Sequence, residues 1–321
     1  MSSKIMMVLI TSGLVGSLQA DSCSGGGETP TPDPGPPSSC AIFPPDNPWN
    51  TDISAYPVHP LSDQYINSIG ATETLHPDFG TEWQGAPNGI PSVNVPGDQA
   101  RVPVSFTYSD ESDPGPYPIP PEAPIEGGAN GTGDRHVIVL DVDACMLYEM
   151  WNSWPVNGGE SWRAGSGAVF DLSSNTLRPE GWTSADAAGL PIYPGLVRYE
   201  EVVEQGEIPH ALRFTVVNSQ RAYIHPATHY ASDKTDTNLP PMGLRLRMKA
   251  GYNCSGFSSE VQVICAALKR YGMFVADNGS DWYLSGSPDT RWNEDHIHEL
   301  QDIPGSAFEA VYTGEIITEV P

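Results

Sequence analysis

HVIVLDVDACMLYEMW, residues 136–151, is the stretch of this sequence that decides its fold. Its first run, 136–141, is apolar and mostly β-branched between two polar ends, which is typical of a buried strand. Residues 142–144 can turn, and 145–151 has the composition of a returning strand. The stretch therefore predicts a β-hairpin that lies inside a protein core.

Outward from this hairpin, the chain alternates short strands with long loops. Its 32 glycines and 32 prolines disfavour a helical bundle, because both residues interrupt helices. One good helix is predicted after Ser258, and shorter ones at 61–69 and 196–203. Further strands are predicted at 101–108, 167–172, 210–217, 243–250, 273–276, 282–285 and 308–313. We predict a mainly β fold, a β-sandwich or jelly-roll with long loops and one packed helix.

The N-terminus has the pattern of a secretory signal peptide, residues 1–20. Lys4 precedes a short apolar stretch, and Ala20 is a small residue at the expected cleavage site. Residues 21–39 are rich in Pro, Gly and Ser and predict an extended tether, followed by a single β-rich domain, 40–321. We expect a secreted or periplasmic protein. A lipoprotein attached through Cys23 is the weaker alternative, because the residues before Cys23 fit that pattern poorly.

The formal net charge of −25 restricts the partners of this protein. A strongly negative chain repels nucleic acid and anionic membrane surfaces, so no nucleic-acid partner is expected. The N-terminal apolar stretch is too short for an integral membrane span. Abundant acids also suit calcium, which is the cofactor that the sequence leaves open. A solvated acidic surface is the simpler explanation of the charge.

The five cysteines include no pair with the CxxC spacing of a zinc or redox site. Export would place them in an oxidising compartment, where disulfides form. Cys254 and Cys265 flank the start of the predicted helix and can close a local loop. Cys40 can join the N-terminal edge to the strand that carries Cys145. The sequence alone does not fix this connectivity.

The acids of the hairpin are the first candidates for chemistry. Asp141 ends one strand and Glu149 lies on the next, and glycoside hydrolysis requires two neighbouring carboxylates. Trp151 and Trp162 follow in the chain, and aromatic faces beside carboxylates suit the binding of sugars. The structural alternative is a turn with exposed acids and tryptophans that belong to the core.

Residues 183–191, TSADAAGLP, place one acid, Asp186, among small residues. Small side chains let a ligand approach the backbone closely, which suits a functional loop. The structural alternative is a helix start, because Thr183 and Asp186 have the spacing of a capping box.

The segment 225–230, HPATHY, contains two histidines, His225 and His229. Histidine is the side chain best suited to acid–base chemistry near neutral pH, and it also binds metals. The structural alternative is a loop whose ring nitrogens are hydrogen-bonded to backbone.

The loops at 276–298 contain the last candidate residues. Asp277, Asn278, Gly279 and Asp281 are similar to part of a calcium loop without its terminal Glu, although Asn-Gly is equally a hairpin turn. Further along, Arg291 and Trp292 stand among acids and histidines. These residues form either one wall of an active site or a hydrogen-bonded corner.

Several of these motifs together resemble a family of exported, uncharacterised bacterial proteins. The similar segments are TSADAAGLPI at 183–192, PPMG at 240–243 and ADNGS at 276–280 with its RWN tail. The resemblance covers roughly 43–311. It implies a single domain, and it implies no activity, because none is established for that family.

The sequence favours a secreted carbohydrate-active enzyme that acts on a polysaccharide, either a glycoside hydrolase or a polysaccharide lyase. No GxSxG, HExxH or phosphate-binding Gly-Lys-Ser/Thr motif occurs, which argues against most serine hydrolases, zincins and nucleotide enzymes. The candidate catalytic residues are Asp141, Glu149, Asp186, His225 and His229. The candidate substrate-binding residues are Trp151, Trp162, Trp182, Arg291 and Trp292.

The prediction of a carbohydrate-active enzyme leaves two reaction types open, hydrolysis and elimination. Two other functions are alternatives to it. A hydrolase would use two carboxylates, Asp186 with Asp141 or Glu149. A lyase would use His225 or His229 as base, Tyr230 as acid, and Arg245, Arg247 or Lys249 to neutralise a uronate. The alternatives are a non-catalytic protein that binds a glycan or another surface component, and a metal-dependent hydrolase built on His136, His225 and His229.

Overall fold

The computed structural model describes residues 40–319, so the predicted signal peptide and tether lie outside the described residues. All described residues fall within one compact unit. The helices are α1 (Ser62–Ile69), α2 (Ser259–Arg270) and α3 (Glu294–Ile297). The strands are β1 (His76–Asp78), β2 (Glu82–Trp83), β3 (Ala86–Pro87), β4 (Ser92–Val95), β5 (Val104–Phe106), β6 (Val137–Asp141), β7 (Met146–Trp151), β8 (Trp154–Val156), β9 (Ser161–Ala164), β10 (Ser166–Asp171), β11 (Leu212–Val216), β12 (Arg245–Met248), β13 (Met273–Asn278), β14 (Tyr283–Ser285) and β15 (Phe308–Val311).

The predicted hairpin is formed by β6 and β7, which pair antiparallel at the centre of a four-stranded sheet. Both faces of β6 are buried. Ile138 and Leu140 belong to the main core, whereas Val137 and Val139 belong to a second core on the opposite face. Because side chains alternate between the faces of a strand, a strand between two cores is apolar at every position. The continuous apolar run at 137–140 is therefore explained by the position of β6 between two cores.

A six-stranded sheet, in the order β1-β14-β11-β13-β12-β15, carries most of the remaining core. It mixes parallel and antiparallel pairs: β11 is parallel to β13 and antiparallel to β14. After β13 the chain therefore passes the end of β11 and returns on its other side. The Asn278-Gly279 turn belongs to this crossing, and it does not join two paired strands.

The mainly β class is confirmed, and so is the packed helix at α2. Mixed strand directions within the sheets were not predicted, because the apolar pattern of a strand does not encode which neighbour it pairs with. Ser258 occupies the cap position of α2, but its side chain makes no capping hydrogen bond. At 196–203 the structure instead has a short wide helical turn, Glu200–Gln205.

Both expected disulfides are formed, Cys40–Cys145 and Cys254–Cys265. The first joins the start of the domain to the β6–β7 hairpin, and the second closes a loop at the start of α2. Two disulfides fit an oxidising compartment outside the cytoplasm. Within residues 40–319, no helix has the length and apolar character needed to cross a membrane.

Candidate functional site

Three of the motifs singled out in the sequence meet at one place in the structure. The Ala188 backbone N–H donates to the Ala276 carbonyl at 3.0 Å, which attaches the 182–190 loop to β13. The Thr228 and His229 N–H groups both donate to the Ala188 carbonyl, at 3.0 and 3.2 Å. Backbone hydrogen bonds at Ala188 therefore join the three segments TSADAAG, HPATHY and ADNGS to one another.

The 182–190 loop is irregular, and the helix start that Thr183 and Asp186 could have formed is absent. A buried ion pair holds the loop to the six-stranded sheet instead. Both carboxylate oxygens of Asp186 accept from Arg213 on β11, at 2.9 and 3.1 Å, and neither residue is more than 3% exposed. Burial raises the pKa of Asp186, and Arg213 opposes that effect. A bidentate pair of this kind fixes the loop in one position.

A second buried carboxyl, Glu149, lies between the two large sheets. It opposes Ile138 on β6 and so faces the main core, where it is 0% exposed. Its oxygens accept from the Ile192 and Tyr193 backbone N–H groups, each at 2.8 Å. Burial raises the pKa of Glu149 to about 7, and the negative charge of Asp186 contributes. Glu149 therefore holds the far end of the 182–195 segment.

His136 completes the buried polar network. Its Nδ1 lies 2.7 Å from Glu126, and its Nε2 lies 3.1 Å from the Ala185 carbonyl oxygen. Burial alone would lower the pKa of His136, but Glu126 raises it to about 9. Both ring nitrogens thus have protein partners, and the contact with Ala185 attaches the ring to the 182–190 loop.

One row of the six-stranded sheet stays open to solvent beside this network. His76, Tyr283, Thr215 and Asp277 are successive cross-strand neighbours on β1, β14, β11 and β13. Neighbours in register share one face of a sheet, so these four half-buried side chains form one row on that face. We call the surface that this row lines the groove. Asp78, two residues beyond His76, lies at the rim of the groove. The residue as a whole is exposed, but burial raises the pKa of its carboxyl.

Asp277 is the acid at the centre of the site. A register shift in β13 displaces it by one residue relative to β11 and brings it opposite Thr215. Burial raises the pKa of Asp277 to about 7, and the nearby charge of Asp186 adds to the effect. A half-buried carboxyl that is partly protonated near neutral pH can donate a proton or a hydrogen bond.

His229 lies on the other side of the Ala187–Ala188 backbone. Its Nδ1 is 2.7 Å from the Ala187 carbonyl oxygen, so in the neutral ring Nδ1 carries the proton. Nε2 then presents a lone pair, and it makes no hydrogen bond to any residue in 40–319. The Tyr230 ring stacks nearly parallel at 5.9 Å between centroids. This arrangement is that of an oriented general base beside a phenol.

One cation, Arg221, lies next to Tyr230, and its backbone is hydrogen-bonded to a second, Lys234. The Arg221 guanidinium lies 5.4 Å from the centre of the Tyr230 ring, and the Arg221 N–H donates to the Lys234 carbonyl. Among the described residues, neither Arg221 nor Lys234 makes an ion pair. The Lys234 side chain bonds only to Asn218. We call these two residues the basic pair.

The other predicted catalytic residues lie away from the groove. Asp141 is buried and accepts the Ala144 N–H at 2.9 Å, as a turn residue does. It pairs in register with Met146, three residues along β7 from Glu149, so the predicted pair of Asp141 and Glu149 is separated by about 10 Å of strand. His225 is exposed and bonds to Glu180 at 2.7 Å.

Most of the predicted substrate-binding residues have structural roles. Trp162 and Trp292 are 2% and 4% exposed, so no sugar can stack on them. Arg291 is surrounded by Asp289, Glu200 and Glu204. Trp151 is half-buried, with its indole N–H bonded to Asp134, and Trp182 is half-buried in the loop that carries Asp186. The lyase cations Arg245 and Arg247 are also engaged, with backbone carbonyls and with Glu309.

The geometry offers little to a metal ion. No group of three His, Cys, Asp or Glu side chains within residues 40–319 is placed to bind one. His136, His225 and His229 bond to Glu126, Glu180 and the Ala187 carbonyl, and they do not form such a group. In the segment similar to a calcium loop, Asp277 accepts the Asn278 N–H and Asp281 accepts the Val217 N–H. These carboxylates stabilise the crossing after β13.

Sequence reasoning missed Arg213, Tyr283 and the basic pair. Arg213 stands at an inward position of a well-predicted strand, where a charge is unusual, and that was the available signal. Nothing local in the sequence distinguishes Arg221 or Lys234 from other surface cations, because their significance depends on the fold of the loop that brings Arg221 beside Tyr230. Comparison of the chain with protein-family models, with curated proteins and with solved structures found no match.

Proposed function

We propose that this protein is an exported polysaccharide lyase that cleaves an anionic, uronate-containing glycan in the groove. The observation that carries the proposal is His229, whose Nε2 is unpartnered while Nδ1 is held by the Ala187 carbonyl, beside Tyr230 and the basic pair. The two disulfides support a site of action outside the cytoplasm.

The reaction would be a β-elimination at a uronate residue. His229 Nε2 takes the proton from C5, and that electron pair forms the C4–C5 double bond. The bond between C4 and the bridging oxygen breaks, and the leaving oxygen takes a proton from the Tyr230 hydroxyl. Water is not consumed, and His229 and Tyr230 exchange protons with solvent afterwards. The products are a new chain end and an unsaturated uronate.

Charge at the uronate carboxylate decides how readily C5 loses its proton. The basic pair supplies positive charge at one end of the groove, and Asp277 in its protonated form supplies a hydrogen-bond donor from below. Both would stabilise the negative charge that develops as the proton leaves.

A glycoside hydrolase is the second candidate, and Asp277 is the observation that favours it. A carboxyl with a pKa raised to about 7 is suited to protonate a leaving group at neutral pH. Asp186 would be its ionised neighbour. However, both Asp186 oxygens are bonded to Arg213, which makes Asp186 a poor nucleophile or base.

The test is to incubate the chain from Asp21 onward with a panel of neutral and uronate polysaccharides, and to follow reducing ends and the absorbance of unsaturated uronates together. The lyase proposal expects both signals, and it expects His229→Gln to lower them at least about 100-fold. His225→Gln is the matched control, because it changes a histidine of the same segment that bonds to Glu180 outside the groove.

Reducing ends without absorbance would replace the lyase with the hydrolase. Loss of activity in His225→Gln but not in His229→Gln would contradict the assignment of the base. If the protein binds a glycan without cleaving it, the result would instead favour a non-catalytic glycan-binding protein.

A further inference from the structure

A depression of about 520 Å³ lies at the end of the groove that is remote from His229. This volume is within the range of small-ligand sites. Its lining includes Asn67, Glu73, Thr74, His76, Asp281 and Tyr283. Hydroxyl, amide and carboxyl groups dominate this lining, and such groups can exchange hydrogen bonds with several sugar hydroxyls.

The depression and Asp277 share one sheet surface. His76 and Tyr283 belong to both the depression and the groove floor, and Asp277 is the fourth member of the same row. Three strand spacings separate His76 from Asp277, or about 14 Å. On the far side of Asp277, Asn278 bonds to Ser219 and to the Ala231 carbonyl, which brings in the segment with the basic pair.

A stacked pair of aromatic rings distinguishes the depression from an ordinary polar hollow. The His76 and Tyr283 rings are 4.0 Å apart between centroids and only 6° from parallel. They stack face to face on paired strands, so each ring has one outer face that its partner does not cover. An outer face of this kind is an apolar surface beside hydrogen-bonding groups, which is the combination that a pyranose face requires.

The charge of the depression is opposite to that of the basic pair. Its lining contains Glu73 and Asp281 but no Lys or Arg. Burial lowers the pKa of His76, so this ring is neutral at neutral pH and adds no positive charge. A uronate carboxylate would be repelled here, whereas a neutral sugar or an amino sugar would be accepted.

We propose that the depression is a subsite for a neutral or amino sugar, so that the substrate is a mixed polysaccharide that contains both uronate and uncharged or amino sugars. This inference rests on the proposed function, because it extends the groove in which the lyase reaction would occur. It predicts that a homopolymer of uronate is a poor substrate, since its carboxylates would meet Glu73 and Asp281.

Two substitutions test the subsite without touching His229. Tyr283→Ala removes one ring of the stacked pair and should weaken binding of mixed chains about tenfold. Glu73→Lys adds a cation at the depression and should improve binding of a uronate homopolymer relative to a mixed chain. Glu160→Lys is the matched control, because Glu160 is also exposed but lies outside the lining of the depression.

Binding should be measured by affinity electrophoresis and calorimetry with the His229→Gln variant, and cleavage with the parent chain. A homopolymer preference in the parent chain, or equal effects of Glu73→Lys and Glu160→Lys, would overturn the subsite. If mixed chains bind and Tyr283→Ala weakens them but no absorbance develops, the subsite stands and the lyase proposal fails. If no polysaccharide binds, both proposals fail.

Discussion

The Nδ1 atom of His229 lies 2.7 Å from the carbonyl oxygen of Ala187, one residue beyond the buried acid Asp186. The position of the proposed base therefore depends on the loop that Asp186 anchors. Arg213 provides the anchor from β11, and the Arg213 pKa is raised by Asp186 although burial opposes this. A buried ion pair thus positions the side chain of the proposed base.

Asp186→Asn should destabilise the protein by about 3–5 kcal/mol, because it leaves the Arg213 charge buried without its partner. The free energy of unfolding from urea titration measures this loss. Asp98→Asn removes one charge from an exposed acid and should change the stability little. A loss in Asp186→Asn as small as that in Asp98→Asn would show that the ion pair does not hold the loop.

The elements that were predictable from sequence are those with a local pattern. The β6–β7 hairpin, α1 and α2 follow from apolar spacing, whereas the sequence allowed the pairs Cys40–Cys145 and Cys254–Cys265 without fixing them. The convergence of the three motifs at Ala188 was not predictable, because hydrogen bonds between residues far apart in sequence create it. Trp162 and Trp292 were predicted to bind sugars because they lie near acids in the sequence, and only the packing of the folded protein shows that they belong to the core.

The buried carboxyl of Glu149 predicts a pH-dependent stability. Its pKa is raised from 4.5 to about 7 in the folded protein, with burial as the main cause. Between these values the folded protein keeps a proton that the unfolded chain releases, so stability falls as the pH rises through this window. Glu149→Gln cannot ionise, and its stability relative to the parent should rise by up to about 1.4 kcal/mol per pH unit there.

Urea titrations between about pH 5 and pH 8 measure this difference. Glu160→Gln, at an exposed position, is the control and should follow the parent chain at every pH. A constant difference between Glu149→Gln and the parent would mean that Glu149 does not titrate in this range.

The two disulfides should contribute unequally to stability. Cys40–Cys145 closes a loop with a sequence separation of 105, and Cys254–Cys265 one of 11. A longer closed loop restricts the unfolded chain more, so the entropic model gives about 4.7 kcal/mol for the long loop and about 3 kcal/mol for the short one. Denaturation of the double variants Cys40→Ser/Cys145→Ser and Cys254→Ser/Cys265→Ser compares them. A larger loss for the short loop would point to lost packing rather than chain entropy.

Asp277→Asn separates the two chemistries proposed for the groove. In the lyase, protonated Asp277 only donates a hydrogen bond, so the parent enzyme should lose activity as the pH rises through about 7. The side-chain amide of the variant would donate at every pH, and the ratio of variant to parent kcat/KM should therefore rise above that value. In the hydrolase, Asp277 must give up a proton, so below about pH 7, where the parent carboxyl is protonated, the same variant should lose activity about 10²–10⁴-fold. Profiles of kcat/KM against pH, with Asp98→Asn as the control, decide between them, because an amide can replace a hydrogen-bond donor but not an acid.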